Sequence, residues 1–291
     1  MRMILVHGIG QEGKSSQKIL DEWLPDLNAV FAAQGAHPLG KLTRIDAAFY
    51  GDRLAQLSSA KVYDQTIALG AEETADDFGD FALDAFRAMA LRMGATQAQI
   101  DAELRQTVVA QGAGMHKAWL KAIARVVETV SPRGGVLALR VLGQAHAYIR
   151  NQHVHDEVNK LVRPLFENDE PMVVVSHSLG TIVAYSLLRE FARNGRPRNC
   201  PLFVTLGSPL GIDSVRKGFP KPRTKPGNVL RWVNGADPQD FVALRSELTS
   251  DNFGPGIENY PDIHNSYDNP HHISGYLSDP RIATAITEAI A

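Results

Sequence analysis

Short apolar runs alternate along this chain with segments whose apolar residues recur at helical spacing. Strand-forming runs lie at Met3–Val6, Thr43–Tyr50, Met172–Val175, Leu202–Leu206 and Asn228–Val233. Continuous apolar runs of this length are typical of strands buried on both faces of a parallel sheet. Helical spacing predicts helices that begin at Ser15 or Ser16, over Ile182–Phe191 and over Arg281–Ile290. Strands that alternate with helices predict an α/β fold with a mostly parallel central sheet flanked by helices.

The alternation of strands and helices stops between residues 71 and 166. This stretch is rich in alanine, and its apolar residues form stripes that predict three or four helices, with a turn at Ser131–Gly135. We expect a helical cap over residues 71–166, inserted into a core made of residues 1–70 and 167–291. In parallel α/β sheets ligands bind beyond the carboxyl ends of the strands, where such a cap would lie. Residues 234–276 are rich in Asn, Asp, Pro, Gly and His and predict a long loop region.

Composition excludes several classes of function. The chain has 291 residues and a formal net charge of −2, so we expect no nucleic-acid partner. Its one cysteine, Cys200, cannot form a disulfide within the chain. The first apolar run is too short for a signal peptide, and no apolar run is long enough to cross a membrane. These features predict a cytoplasmic protein, with leaderless secretion as the alternative.

The strongest chemical signal is the segment VVVSHSLGTI, which spans residues 173–182. A strand, a turn with small residues at its ends and a helix form the context of a nucleophile elbow. Ser178 stands at the tip of this turn, and Gly180 is the small residue two positions later. A serine at the start of a helix also lies where free N–H groups stabilise negative charge. The segment therefore predicts Ser178 as a nucleophile and the N–H of Leu179 as an oxyanion donor.

A second signal, HGIG at residues 7–10, follows the first strand. Glycines at this place let the backbone approach a ligand closely. The N–H groups of Ile9 or Gly10 are candidates to complete the oxyanion hole with Leu179.

Three segments together, HGIG, SHSLG and FVTLGSPLG, resemble the α/β-hydrolase superfamily, and most of all its lipase- and esterase-like serine hydrolases. The likeness covers about residues 1–50 and 170–291, whereas the helical stretch between them matches nothing specific. The chain departs from the family pattern at Ser176, where glycine is usual. The resemblance implies an α/β-hydrolase fold and a catalytic triad in the chain order Ser, Asp or Glu, His.

The acid of the implied triad should follow a strand downstream of the elbow. The segment LRWVNGADP, residues 230–238, resembles the acid loop of lipases and favours Asp237, with Asp240 as the second choice. The carboxylate would fix the tautomer of the catalytic imidazole and stabilise the imidazolium.

The base of the implied triad should lie in a loop before the last helix. The segment NPHHISGYL, residues 269–277, fits this position and favours His271, with His272 as the alternative and His264 as a distant third. A neutral imidazole near pH 7 can take the proton of Ser178 and return it to the leaving group.

These residues predict a serine hydrolase that cleaves carboxylic esters, with lipid or acyl esters included if the cap lines an apolar pocket. The alternatives are a thioesterase, amidase or acyltransferase with the same triad, or a binding protein of the same fold without turnover. We expect a small-molecule ester or lipid as the partner, and neither a cofactor nor a metal. His153 and His155 lie on different faces of their predicted helix, so they do not form a metal site. Nothing in the sequence indicates an oligomeric state.

Overall fold

A computed structural model describes residues 1–58, 72–111, 115–195, 199–265 and 269–291 of the chain. Its centre is a six-stranded sheet in which every strand pair is parallel. The strands are β1 (Arg2–Val6), β2 (Arg44–Ala48), β3 (Met172–His177), β4 (Cys200–Leu206), β5 (Val229–Gly235) and β6 (Glu258–Tyr260). Their order across the sheet is β2-β1-β3-β4-β5-β6. The predicted α/β class with a parallel central sheet is therefore confirmed.

One strand was not predicted from the sequence. Strand β6 pairs with the end of β5 and lies inside the 234–276 region, which we expected to be loop throughout. Its three residues, Glu-Asn-Tyr, carry no run of buried apolar side chains, so no periodic pattern marks them. The strand exists because its backbone pairs with β5 at the edge of the sheet.

One face of the sheet is covered by helices from both ends of the chain. They are α1 (Ser16–Ala33), α10 (Ile273–Leu277) and α11 (Pro280–Ile290). Their apolar side chains form one cluster with alternate residues of the strands, including Leu5, Val175 and Val204. Ser15 is the residue that caps α1, because its hydroxyl accepts the N–H of Lys18.

The opposite face carries the remaining helices. They are α2 (Gly51–Leu57), α3 (Glu72–Arg92), α4 (Gln97–Gln111), α5 (Met115–Val130), α6 (Pro132–Arg150), α7 (Gln152–Phe166), α8 (Leu179–Arg193) and α9 (Asp213–Lys217). The described part of residues 71–166 thus holds five helices instead of the three or four expected. The predicted turn at Ser131–Gly135 is shorter than expected, because α6 already begins at Pro132, where proline favours a helix start.

The hydrophobic core on this face continues from the sheet into the long helices. One cluster joins Ile4 and Phe203 of the strands to Phe86 of α3, Val127 of α5 and Tyr148 of α6. Helix α7 lies within residues 71–166 but packs against β2 and α8, beside the sheet. Among the described residues, no helix combines the length and the apolar character that crossing a membrane requires.

Candidate active site

Ser178 lies in a sharp turn between β3 and α8. Its backbone has φ 52° and ψ −127°, and it is the one non-glycine residue with positive φ in the described part of the chain. A conformation of this kind costs about 1–3 kcal/mol and persists only where the surroundings impose it. At Gly180 an added Cβ would overlap the carbonyl oxygens of Val6 and His7. A Cβ on Gly8 would lie 2.7 Å from Ser178 Cβ, so both glycines are needed for the turn to fit.

A chain of hydrogen bonds runs from Ser178 to a buried carboxylate. Ser178 Oγ lies 2.9 Å from His271 Nε2, and His271 Nδ1 lies 2.7 Å from Asp240 Oδ2. Because an ionised carboxylate can only accept, Nδ1 carries the proton and Nε2 is left to accept from the serine hydroxyl. All three side chains are almost completely buried. A hydroxyl, an imidazole and a carboxylate connected in this order have the geometry of a catalytic triad.

Asp240 keeps its negative charge although no part of it reaches solvent. Burial alone raises the pKa of this carboxyl, but electrostatic attraction to His271 and hydrogen bonds from His271, Tyr276 and the Val242 N–H outweigh that effect, so its pKa lies below the ordinary value. The Tyr276 hydroxyl donates to Oδ2 at 2.6 Å, and the N–H groups of Val242 and Ala243 donate to Oδ1 at 2.8 and 3.3 Å. The Asp240 carboxylate is thereby fixed in both charge and orientation.

The choice of Asp237 as the acid is corrected by this geometry. Asp237 Oδ1 accepts the N–H of Gln239 at 2.6 Å, and Oδ2 accepts the N–H of Asn265 at 2.7 Å. The Asp240 N–H bonds back to the Asp237 carbonyl at 3.0 Å, so a turn separates the two aspartates. Asp237 holds loops together, and Asp240, three residues further on, reaches His271.

Neither of the other two histidine candidates takes the place of His271 beside the Ser178 hydroxyl. His272 Nδ1 accepts the N–H of Ser274 at 3.3 Å and caps helix α10. His264 is exposed and lines a separate cavity of about 400 Å³ beside Arg281. Of the predicted residues, the structure therefore brings together Ser178 and His271, and it leaves His272 and His264 outside the hydrogen-bond chain.

Backbone N–H groups that could hold an oxyanion lie on both sides of Ser178. Leu179 is the first residue of α8, and N–H groups in the first turn of a helix have no partner within the helix. On the other side Gly8 and Ile9 line the same cavity as Ser178, whereas Gly10, with φ 74°, is not among its lining residues. Ile9 is thus better placed than Gly10 to complete an oxyanion hole with the Leu179 N–H.

His7 anchors the loop that carries Ile9. Its ring is buried, stacks on Tyr50 with 4.2 Å between centroids, and places Nδ1 2.6 Å from the Gly8 carbonyl. The Tyr50 N–H donates to Nε2 at 3.2 Å, and the Tyr50 hydroxyl donates to the His7 carbonyl. Burial lowers the pKa of His7 to about 4, so the ring is neutral at pH 7. Its part in fixing this loop had no signal in the sequence beyond its place before the glycine.

His177 secures the loop of the base. Its Nε2 donates to the His271 carbonyl at 3.0 Å, and the two rings lie 4.7 Å apart. Burial, with the neighbouring His271 as a second cause, lowers the pKa of His177 well below its ordinary value. A neutral His177 thus packs beside the turn and also ties His271 to strand β3.

The glycine of the GSPLG segment makes room for the acid and the base. Gly207 has φ 55°, and an added Cβ would lie 2.9 Å from Asp240 Oδ2 and 3.1 Å from His271 Nδ1. Tyr276, which donates to Asp240, was not singled out from the sequence. Its position five residues after His271 gives no local sign that its hydroxyl meets a carboxylate from another loop.

A cavity of about 410 Å³ opens in front of Ser178. Its walls come from the HGIG loop, helix α1, Leu137 of α6 and the loop that carries His271. They include the charged residues Lys14, Glu22 and Asp26 beside the apolar Ile9 and Ile273. The described residues contain no group of three or more His, Cys, Asp or Glu side chains suited to a metal ion.

Comparison with known proteins adds no assignment to this geometry. No protein-family model matches the chain, and neither a curated protein nor a solved structure matches it.

Proposed function

We propose that this protein is a serine hydrolase of the α/β-hydrolase type, with Ser178, His271 and Asp240 as its catalytic triad. The observation that carries the proposal is the hydrogen-bond chain of 2.9 and 2.7 Å that ends on a serine with positive φ. A serine that merely capped a helix would need neither the strained turn nor a histidine backed by a buried carboxylate. Leu137 of α6 lines the cavity, which supports a role for the helices of residues 71–166 as a cap.

The proposed reaction is acyl transfer to water in two steps. Ser178 Oγ attacks the acyl carbon while its proton passes to His271 Nε2, and the N–H groups of Leu179 and Ile9 hold the oxyanion. The tetrahedral intermediate collapses, and the leaving alkoxide takes the proton from His271. Water then attacks the acyl-enzyme with His271 again as base, and this releases a carboxylic acid and restores Ser178. Throughout, Asp240 stabilises the charged form of His271.

Carboxylic esters are the proposed substrate class. The charged lining and the modest volume of the cavity support a compact, polar ester more than a long acyl chain. A thioester, an amide or an acceptor alcohol in place of water would use the same triad. Rates on matched acetyl esters, thioesters and amides, measured with and without added alcohol, separate these reactions.

The first test is labelling of the pure protein with a fluorophosphonate, read out by intact mass. We expect one adduct on the wild type and none on Ser178→Ala. The matched control is Ser274→Ala, which removes a different serine from the same cavity and should keep the adduct. A folded wild-type protein that takes no adduct and hydrolyses no ester contradicts the proposal. That result would favour a binding protein of this fold.

A further inference from the structure

Helix α1 gives the cavity a charged wall. Glu22 and Asp26 lie one turn apart on this helix, Trp23 lies between them, and all three line the cavity with Ser178. Residues at these spacings share one face of a helix. The remaining charged side chain of the lining outside the triad is Lys14, from the loop before α1.

The charges of this wall do not cancel. Lys14 Nζ donates to both carboxylate oxygens of Glu22, at 2.9 and 2.6 Å, so these two residues neutralise each other. The Asp26 carboxylate forms no hydrogen bond or ion pair with any residue that the structure describes. His177 adds no positive charge, because burial and the nearby His271 hold its pKa well below the ordinary value. The Lys, Glu and Asp side chains of this wall therefore sum to one negative charge, which Asp26 carries.

The charged wall adjoins the loop that carries His271. Helix α1 packs against α10, which begins two residues after His271. His271 must protonate the leaving oxygen, so the alcohol part of an ester lies near this loop. Trp23, 2% exposed, adds an aromatic ring to the same wall. A carboxylate beside an aromatic ring is the combination that recognises an ammonium group.

We infer that the cavity selects esters whose alcohol part carries a cationic ammonium group, with Asp26 as the specificity-determining residue. The inference rests on the proposed hydrolase function, and it names the substrate class of the same site. A neutral alcohol of the same shape fills the same space but gains nothing from Asp26. One partly exposed ion pair favours the cation by roughly three- to tenfold in affinity.

The test compares two alcohols of equal shape as protectants of Ser178. Choline and its uncharged isostere 3,3-dimethylbutan-1-ol are titrated against the rate of fluorophosphonate labelling, for the wild type, Asp26→Asn and Asp21→Asn. Asp21 lies on the same helix but points to solvent, where it accepts from Gln17, so its variant controls for the change in total charge. Thermal melting shows that each variant is folded.

We expect choline to protect the wild type and Asp21→Asn at a concentration roughly three- to tenfold lower than the neutral alcohol, a difference that Asp26→Asn removes. The difference should also shrink at high salt, because the group is near the surface. Three outcomes would overturn the inference: equal protection by the two alcohols, no protection by either, or a preference for choline that survives Asp26→Asn. In each case, labelling of Ser178 would still support the hydrolase. A wild type that is not labelled at all refutes the proposed function itself.

Discussion

Replacing each of the two aspartates of the 236–243 loop by asparagine tests the assignment of the acid. In Asp240→Asn, the Val242 N–H donates to the Oδ1 position, so the amide oxygen occupies that position. The new amide NH₂ group then replaces Oδ2 and faces His271. An N–H at that place can donate only to an unprotonated Nδ1, and the imidazole proton then moves to Nε2. Such a tautomer cannot take the proton of Ser178.

The expected loss follows from the charge and the tautomer together. Asp240 is fully buried with its carboxylate 2.7 Å from the imidazole, where it would stabilise the imidazolium of the transition state. Loss of the corresponding acid in a serine triad lowers kcat about 10⁴-fold, so we expect about 10³–10⁴ here. That range corresponds to about 4–5.5 kcal/mol in the activation barrier.

In Asp237→Asn the triad keeps all its bonds. The change weakens the contact with the Asn265 N–H, so we expect a lower melting temperature and a loss of less than about tenfold in kcat. The assay is single-turnover labelling by a fluorophosphonate together with the hydrolysis of an activated acetyl ester, at a temperature where both variants are folded. Equal losses in two folded variants, or an Asp240→Asn protein within tenfold of the wild type, would refute the assignment.

Three further substitutions test residues that hold the site in place, and a fourth serves as a control. In urea unfolding, Gly180→Ala should destabilise the protein by about 1–3 kcal/mol, because the added methyl group would overlap backbone atoms. The control is Gly143→Ala, in a helix with open space around the glycine, which should stabilise the protein by about 0.4–1 kcal/mol. Tyr276→Phe removes the donor to Asp240, so ester hydrolysis should fall by about three- to thirtyfold. His7, with a folded pKa of about 4 against 6.5 unfolded, binds its proton more readily in the unfolded chain, so stability should rise with pH between those values. His7→Asn should reduce the loss of unfolding free energy between pH 7 and pH 4 by about 2–3 kcal/mol, and an unchanged pH dependence would contradict the burial of a neutral ring.

The parts of the site that the sequence predicted are those set by local rules. A nucleophile elbow needs a strand, a small residue two positions after the serine and a helix start, and all three stand within residues 172–182. The histidine before the last helices followed from the implied chain order. The parallel sheet followed from apolar runs long enough to be buried on both faces. Each of these features depends on neighbours in the sequence, so a pattern can reveal it.

The features that the sequence missed depend on contacts between distant segments. Strand β6 is defined by its pairing with β5, and its own residues are polar. The number of helices in residues 71–166 was underestimated. The turn at Ser131–Gly135 was predicted too long, because proline at position 132 also suits the first position of a helix. A sequence pattern indicates where the chain bends, but it does not indicate what the bend packs against.

The choice between Asp237 and Asp240 belongs to this second kind. Both stand in the loop after β5, and either could reach a histidine if the loop were free. The decision comes from Asn265, whose N–H lies 28 positions away and occupies one oxygen of Asp237. Tyr276 links the two aspartates, because its hydroxyl accepts a hydrogen bond from the Asp237 N–H and donates one to the Asp240 carboxylate.

The two aspartates consequently have different tasks that cannot be exchanged. Asp237 connects the loop after β5 to the segment that leads to His271. This connection places the ionised carboxylate of Asp240 beside the imidazole. His177 performs the matching task from the other side, because it holds the His271 carbonyl beside the nucleophile's strand. His271 and Asp240, the proposed base and acid, are thus both held by hydrogen bonds from neighbouring segments. A base and an acid carried on loops can in this way keep the fixed geometry that proton transfer from Ser178 requires.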